Sequence, residues 1–141
     1  MTNNLLLLAA RILLSAMFIL SGIGKFNDGG ATAGMIAGAG LPGPSVLAIL
    51  AGIFETVAGI AILVGFQTRI VSWVLAAFCV FAGLVFHNGP IVIPDFPDGA
   101  NALLTMFNQI MLMKNLSIAG GFLALSVAGA GALSIDGRRT A

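Results

Sequence analysis

Seven polar side chains stand in or beside stretches that are otherwise apolar: Arg11, Lys25, Glu55, His87, Gln109, Lys114 and Asn115. Glu55 is the clearest case. It lies midway along the segment 46–66, which holds no other charge. A carboxylate at membrane depth costs on the order of 3 kcal/mol or more without a partner, so an intramembrane acid is a candidate functional residue. Glu55 and His87 are the candidates for proton handling, histidine being the side chain most readily cycled by protonation. Lys25 and Lys114 supply cations, and Gln109 and Asn115 supply neutral hydrogen-bonding groups. Each has a plainer reading. Glu55 can be one half of an ion pair that fixes helix registry. Lys25, Lys114 and Arg11 can anchor helix ends at the membrane interface, and His87 can be an interfacial residue.

Other chemistries are poorly supplied. One histidine and one cysteine provide neither bis-histidine haem ligation nor an iron–sulfur cluster. Cys79 alone forms no internal disulfide and no CxxC pair, and reads as a small packing residue. Met106, Met111 and Met113 have the spacing of an apolar helix face, so no metal site is assigned. No HExxH or Walker A motif is present. Redox chemistry here would require a diffusible quinone or a partner's cofactor. A net charge of +1 without a basic patch argues against nucleic acid.

The elements that must position these residues follow from composition. Hydrophobic residues make up 59% of the chain and charged residues 8%, against roughly 25% charged in soluble domains. Four segments reach the length of about 20 residues needed to cross a bilayer: 5–24, 46–66, 70–86 and 115–133. The chain therefore reads as one all-α domain, 1–141, an integral four-transmembrane-helix bundle. The first apolar run lacks a cleavage site followed by a polar domain and reads as a retained helix. The second and third spans form a tight antiparallel hairpin. The longer connections hold a small amphipathic stretch around Met35 and a Pro-rich loop. The stretch 102–113 reads as a short interfacial helix leading into the fourth span.

Residues three and four apart share a helix face. The first span then aligns Arg11, Ser15, Phe18, Gly22 and Lys25, and the second aligns Gly52, Glu55, Gly59 and Ile62. The third aligns Ala76, Cys79, Gly83 and His87, and the fourth Lys114, Ser117, Gly121, Ala124 and Ala128. Small residues let helix backbones approach closely in lipid, so these faces are expected inside the bundle. Glu55 lies roughly 13–15 Å below the start of its span, near the midplane. Lys25 and Lys114 can reach down toward it, and Arg11 up from the other side. Arg69, Arg138 and Arg139 place both termini and the tight turn in the cytoplasm.

The pattern of these pieces resembles the DoxX family over nearly the whole chain. The matching residues run from Ala10-Arg11-Ile12-Leu13-Leu14 to Ser21-Gly22-Ile23-Gly24-Lys25-Phe26. They continue through Glu55-Thr56-Val57-Ala58-Gly59, Gly65, Thr68-Arg69, Phe86-His87 and Lys114-Asn115-Leu116. Met113 departs from the pattern, standing where relatives more often carry an aromatic. The resemblance implies a small bacterial inner-membrane protein. Members of the family are linked to quinone-coupled sulfur oxidation, including thiosulfate:quinone oxidoreductase subunits, and others assemble with thiol-oxidative-stress proteins. The family's polar positions carry over onto Arg11, Lys25, Glu55, His87, Lys114 and Asn115.

The leading expectation is an accessory subunit of a quinone-linked redox complex, with a quinone or lipid headgroup bound above Glu55. No covalent cofactor is expected. Any catalysis would be that of a quinone oxidoreductase subunit. The alternative is a scaffold that docks on a larger membrane complex, with Trp73, Phe78, Phe81 and Phe86 as contact residues. A small-molecule transporter ranks last, since four helices are few for alternating access.

Overall fold

A computed structural model describes residues 2–139, all of the regular structure in it helical. The elements are α1 (Thr2–Asn27), α2 (Gly29–Gly38), α3 (Pro44–Val64), α4 (Thr68–Phe86), α5 (Asp98–Ala128) and α6 (Ile135–Arg139). α1, α3, α4 and α5 are each long and apolar enough to cross a membrane. α1 packs along α3 and α4 along α5, and the two pairs close around one core. The short α2 lies against α3, in the connection where the sequence suggests an amphipathic stretch. Alternation of direction sets the α1–α3 and α4–α5 connections at one end of the bundle. The α3–α4 turn and α6 lie at the other.

Local chemistry ends each helix. The Asp28 carboxylate accepts from the Ala31 amide and caps α2. Pro44 occupies the first turn of α3, where a missing N–H costs nothing. α3 stops at Gly65, whose φ of 69° suits glycine, and whose amide bonds to Ala61 and Ile62 carbonyls. Gln67 also takes a positive φ, of 49°. The Asp136 carboxylate supports that turn, accepting from the Gln67 and Thr68 amides at 2.9 and 2.8 Å. Burial pushes the Asp136 carboxyl up, but these two amides and the nearby Arg139 charge outweigh it and hold the group below the usual carboxylate range.

The α1–α3 seam is a backbone contact. A Cβ on Gly22 would lie 2.7 Å from the Thr56 nitrogen and 2.8 Å from the Gly52 carbonyl oxygen. Gly59 receives Ile19 in the same way. The core above is Phe18, Ala58, Ile62, Leu75, Ala76, Cys79, Ala119, Phe122 and Leu125. Phe18 packs edge-on against Phe122 and Phe78, with centroids 5.4 and 6.3 Å away. Leu13, Leu20, Val57, Trp73 and Val127 face outward, as lipid-facing residues would.

Three expectations about the last span are corrected. The stretch 102–113 is no separate interfacial helix: it is continuous with the fourth span in the 31-residue α5. No proline or glycine separates Asn101 from Lys114, so the fall in hydropathy marks no break in the backbone. At about 46 Å, α5 outruns a hydrocarbon core of about 30 Å. Its first turns instead carry the preceding loop, through Asn101, Thr105 and Asn108 side chains bonded to Ile93, Ile91 and Gly89. α5 also ends at Ala128 rather than 133, because Gly129 adopts φ 78°. The buried face of α5 is Asn115, Ala119, Phe122, Leu125 and Ser126. Ser117, Ala124 and Ala128 are exposed, contrary to the small-residue alignment. α5 carries small residues on several faces, and the large Phe122 and Leu125 fill the core.

Candidate functional site: a polar-headed cavity

A cavity of about 660 Å³ opens at the end of the bundle that holds the two long connections. Its walls are mostly apolar, drawn from α1, α2, α3 and α4, with Phe54, Phe78 and Phe81 prominent. Phe54 and Phe78 stack at a tilt, 5.0 Å between centroids. The polar side chains in its lining include Lys25, Glu55, His87, Lys114 and Asn115. Five of the seven candidate residues are thus brought to one space by four separate segments.

Lys25 sits one turn above Ser21 on α1, and Glu55 one turn below the α3 glycine at 52. The close approach at Gly22 and Gly52 brings the two side chains together. Lys25 Nζ donates to Glu55 Oε2 at 2.8 Å and to Ser21 Oγ at 2.9 Å. The pair is nearly enclosed, with side chains 16% and 6% exposed. Only one carboxylate oxygen is used in this way, and Oε1 has no hydrogen-bond partner among the described residues. A bound group carrying an N–H or O–H would find an acceptor there.

His87 follows the last turn of α4. Its Nδ1 lies 2.8 Å from Asn108 Oδ1, while Asn108 Nδ2 donates to the Gly89 carbonyl. The amide orientation makes Nδ1 the donor and leaves Nε2 as an acceptor in the neutral ring. Asn115 packs against α4 at Gly83, where a Cβ would lie 3.2 Å from the Asn115 Cβ. Among the described residues, neither the Lys114 ammonium nor the Asn115 amide has a hydrogen-bond or ion-pair partner.

Two candidates lie elsewhere. Gln109 is exposed on α5 and does not line the cavity. Arg11 does not reach toward Glu55. It is fully buried at the opposite end, 14 residues and about 21 Å along α1 from Lys25. Its guanidinium donates to the Leu63 carbonyl at 3.1 Å and to the Leu133 carbonyl, and its Nε has no partner among the described residues. Those acceptors belong to the last turn of α3 and to the segment before α6, where carbonyls lack helical partners and attract a cation. Gly65 leaves room for the guanidinium, since a Cβ there would overlap Arg11 Nη1.

The sequence reading passed over Ser21, Asn108 and Phe54. Helix phase signals Asn108, which lies seven residues before Asn115 on the same face of α5, whereas Gln109 lies about 100° away. Phe78, Phe81 and Phe86, assigned to an outer contact surface, line the cavity. Trp73 is exposed away from the cavity, and Phe81 is half exposed at its wall.

Four apolar spans around an internal polar cluster define a multi-pass helical membrane protein. The chain belongs to the DoxX family, whose profile matches residues 6–88. Two Escherichia coli relatives align over most of their length. Inner membrane protein YqjF is 37% identical over 129 residues, covering 92% of this chain and 88% of its own. Inner membrane protein YphA is 34% identical over 138 residues, covering 94% and 89%. No solved structure matches the chain.

Proposed function

We propose that this protein is an inner-membrane accessory subunit of a quinone-linked redox complex, and that it holds the polar head of a membrane-soluble amphiphile, a quinone or a lipid, in this cavity. The observation that carries the reading is the cavity: apolar walls of aromatic and aliphatic side chains converge on a few polar groups, the usual composition of a small-molecule site. The Glu55 Oε1 acceptor, the His87 Nε2 acceptor and the Lys114 and Asn115 donors match the mixed hydrogen-bonding needs of a quinone and its quinol. Glu55 and His87 are the candidate proton handlers. The names of both E. coli relatives support an inner-membrane location. Arg69, Arg138 and Arg139 support cytoplasmic termini, and in that orientation the cavity would face the outer half of the bilayer.

The test is purification from native membranes in gentle detergent, with mass spectrometry of co-purifying proteins, quinones and lipids. Stoichiometric quinone or lipid that falls with Glu55→Gln, together with a dehydrogenase or oxidase partner, is the expected result. A partner without any bound amphiphile would replace this reading with a scaffold. That second reading has its own observation. A shallow groove of about 380 Å³ runs along the outer face of α4 and α5, lined by Trp73, Ala76, Ala77, Val80, Phe81, Ala119 and Leu123.

A further inference from the structure

The charges in the cavity do not cancel. Lys25 and Glu55 neutralise each other at 2.8 Å, and Lys114 is left without a counter-charge among the described residues. Asn115 beside it is 8% exposed, and its amide has no hydrogen-bond partner among the described residues. Its amide is not among the sealed, unpartnered polar groups, so it remains accessible to an occupant of the cavity. Lys114 and Asn115 both line the same space. A cation and a neutral N–H donor lining one space, both with spare capacity, make a site for an oxyanion.

We propose that Lys114 and Asn115 bind the negatively charged head of a single-chain amphiphile, a carboxylate or a phosphate monoester, whose chain lies among Phe54, Phe78 and Phe81. The inference rests on the amphiphile-binding reading above and specifies the head. Any occupant that fills the cavity strips water from Lys114. A neutral head leaves that cation uncompensated, whereas an anionic head restores the lost solvation. Repulsion from Glu55 is offset by Lys25. The volume of about 660 Å³ falls in the range that holds one ligand of modest size, which favours one chain over two.

The experiment is calorimetric titration of the purified full-length protein in detergent with hexadecanoate, hexadecyl phosphate, methyl hexadecanoate and a short-tail ubiquinone. Hexadecanoate or hexadecyl phosphate is expected to bind at least about tenfold more tightly than the methyl ester, as a charge-assisted hydrogen bond implies. The anion that binds identifies the head. Lys114→Gln should bring acid and ester to similar affinity, and Lys114→Arg should keep the preference, with thermal melts confirming that both variants are folded. Equal binding of acid and ester, or a preference that survives Lys114→Gln, overturns the proposal. Binding of ubiquinone without either anion overturns it and leaves the amphiphile-binding reading standing. Failure of all four to bind overturns both.

Discussion

The two ends of this bundle hold buried charge in different ways. At the end with the termini, Arg11 is enclosed by backbone: Leu63 and Leu133 carbonyls take its terminal nitrogens, and Asp136 fastens the segment that covers it onto the α3–α4 turn. At the other end, Lys25 and Glu55 meet through side chains alone, and Lys114, Asn115 and one Glu55 oxygen are left open to a cavity. Carbonyls at a helix end are fixed and cannot be traded for a ligand. Open donors and acceptors around a space can be. The first arrangement is one that holds a fold, and the second is one that waits for an occupant.

Substitutions should separate the two ends. Arg11→Met leaves two partly buried carbonyls unpaired and should cost about 2 kcal/mol, at roughly 1 kcal/mol for each orphaned group. The readout is a large fall in thermal midpoint in detergent, and an unchanged midpoint would remove Arg11 from the closed end. Glu55→Gln breaks the ion pair while keeping its shape, and should cost about 1–2 kcal/mol, because Lys25 then loses its counter-charge. Its larger effect should be on bound amphiphile. A variant that loses stability yet keeps full occupancy would make the ion pair structural only.

Asp136 sharpens the contrast through pH. Its carboxyl is held below the usual range in the folded protein, so it contributes stability above the unfolded carboxylate pKa of about 3.9. That contribution fades as pH falls from there through the lower folded value. Asp136→Asn should cost about 1 kcal/mol at neutral pH, as loss of a capping acceptor does, and should flatten the acid limb of the melting curve. An identical acid limb in the variant would refute the assignment. The smallest effect belongs to Lys114→Met, which removes no hydrogen bond or ion pair among the described residues and should shift stability by no more than about 0.5 kcal/mol. A large loss would show that Lys114 belongs to the framework.

The closed-end and open-end residues were not equally legible in the sequence. On α1 and α3, the alignments through Arg11, Ser15, Phe18 and Gly22 and through Gly52, Glu55, Gly59 and Ile62 match the buried faces. There a single polar residue marks the face and the glycines beside it mark the seam. On α5 the same rule chose Ser117, Ala124 and Ala128, which are exposed, because small residues occur on more than one face and the face is set by Phe122 and Leu125. The Lys25–Glu55 contact was readable from depth, since both lie toward one end at compatible heights. Arg11 was misplaced because its partners are backbone carbonyls, and side-chain types carry no sign of those. A headgroup pocket above Glu55 was legible from Lys25, Lys114 and His87, but the size and aromatic walls of the cavity were not, since they depend on how far α1 and α3 stand from α4 and α5.

The most direct test of the open end is photolabelling in membrane vesicles with a long-chain amphiphile bearing a mid-chain diazirine, followed by peptide mapping with and without unlabelled competitor. Adducts concentrated at Met17, Phe54 and Phe78, which line the cavity, and suppressed by competitor are the predicted result. Adducts spread over outward residues such as Leu13, Leu20, Val57 and Val127, and insensitive to competitor, would contradict a bound amphiphile and leave the cavity without an occupant.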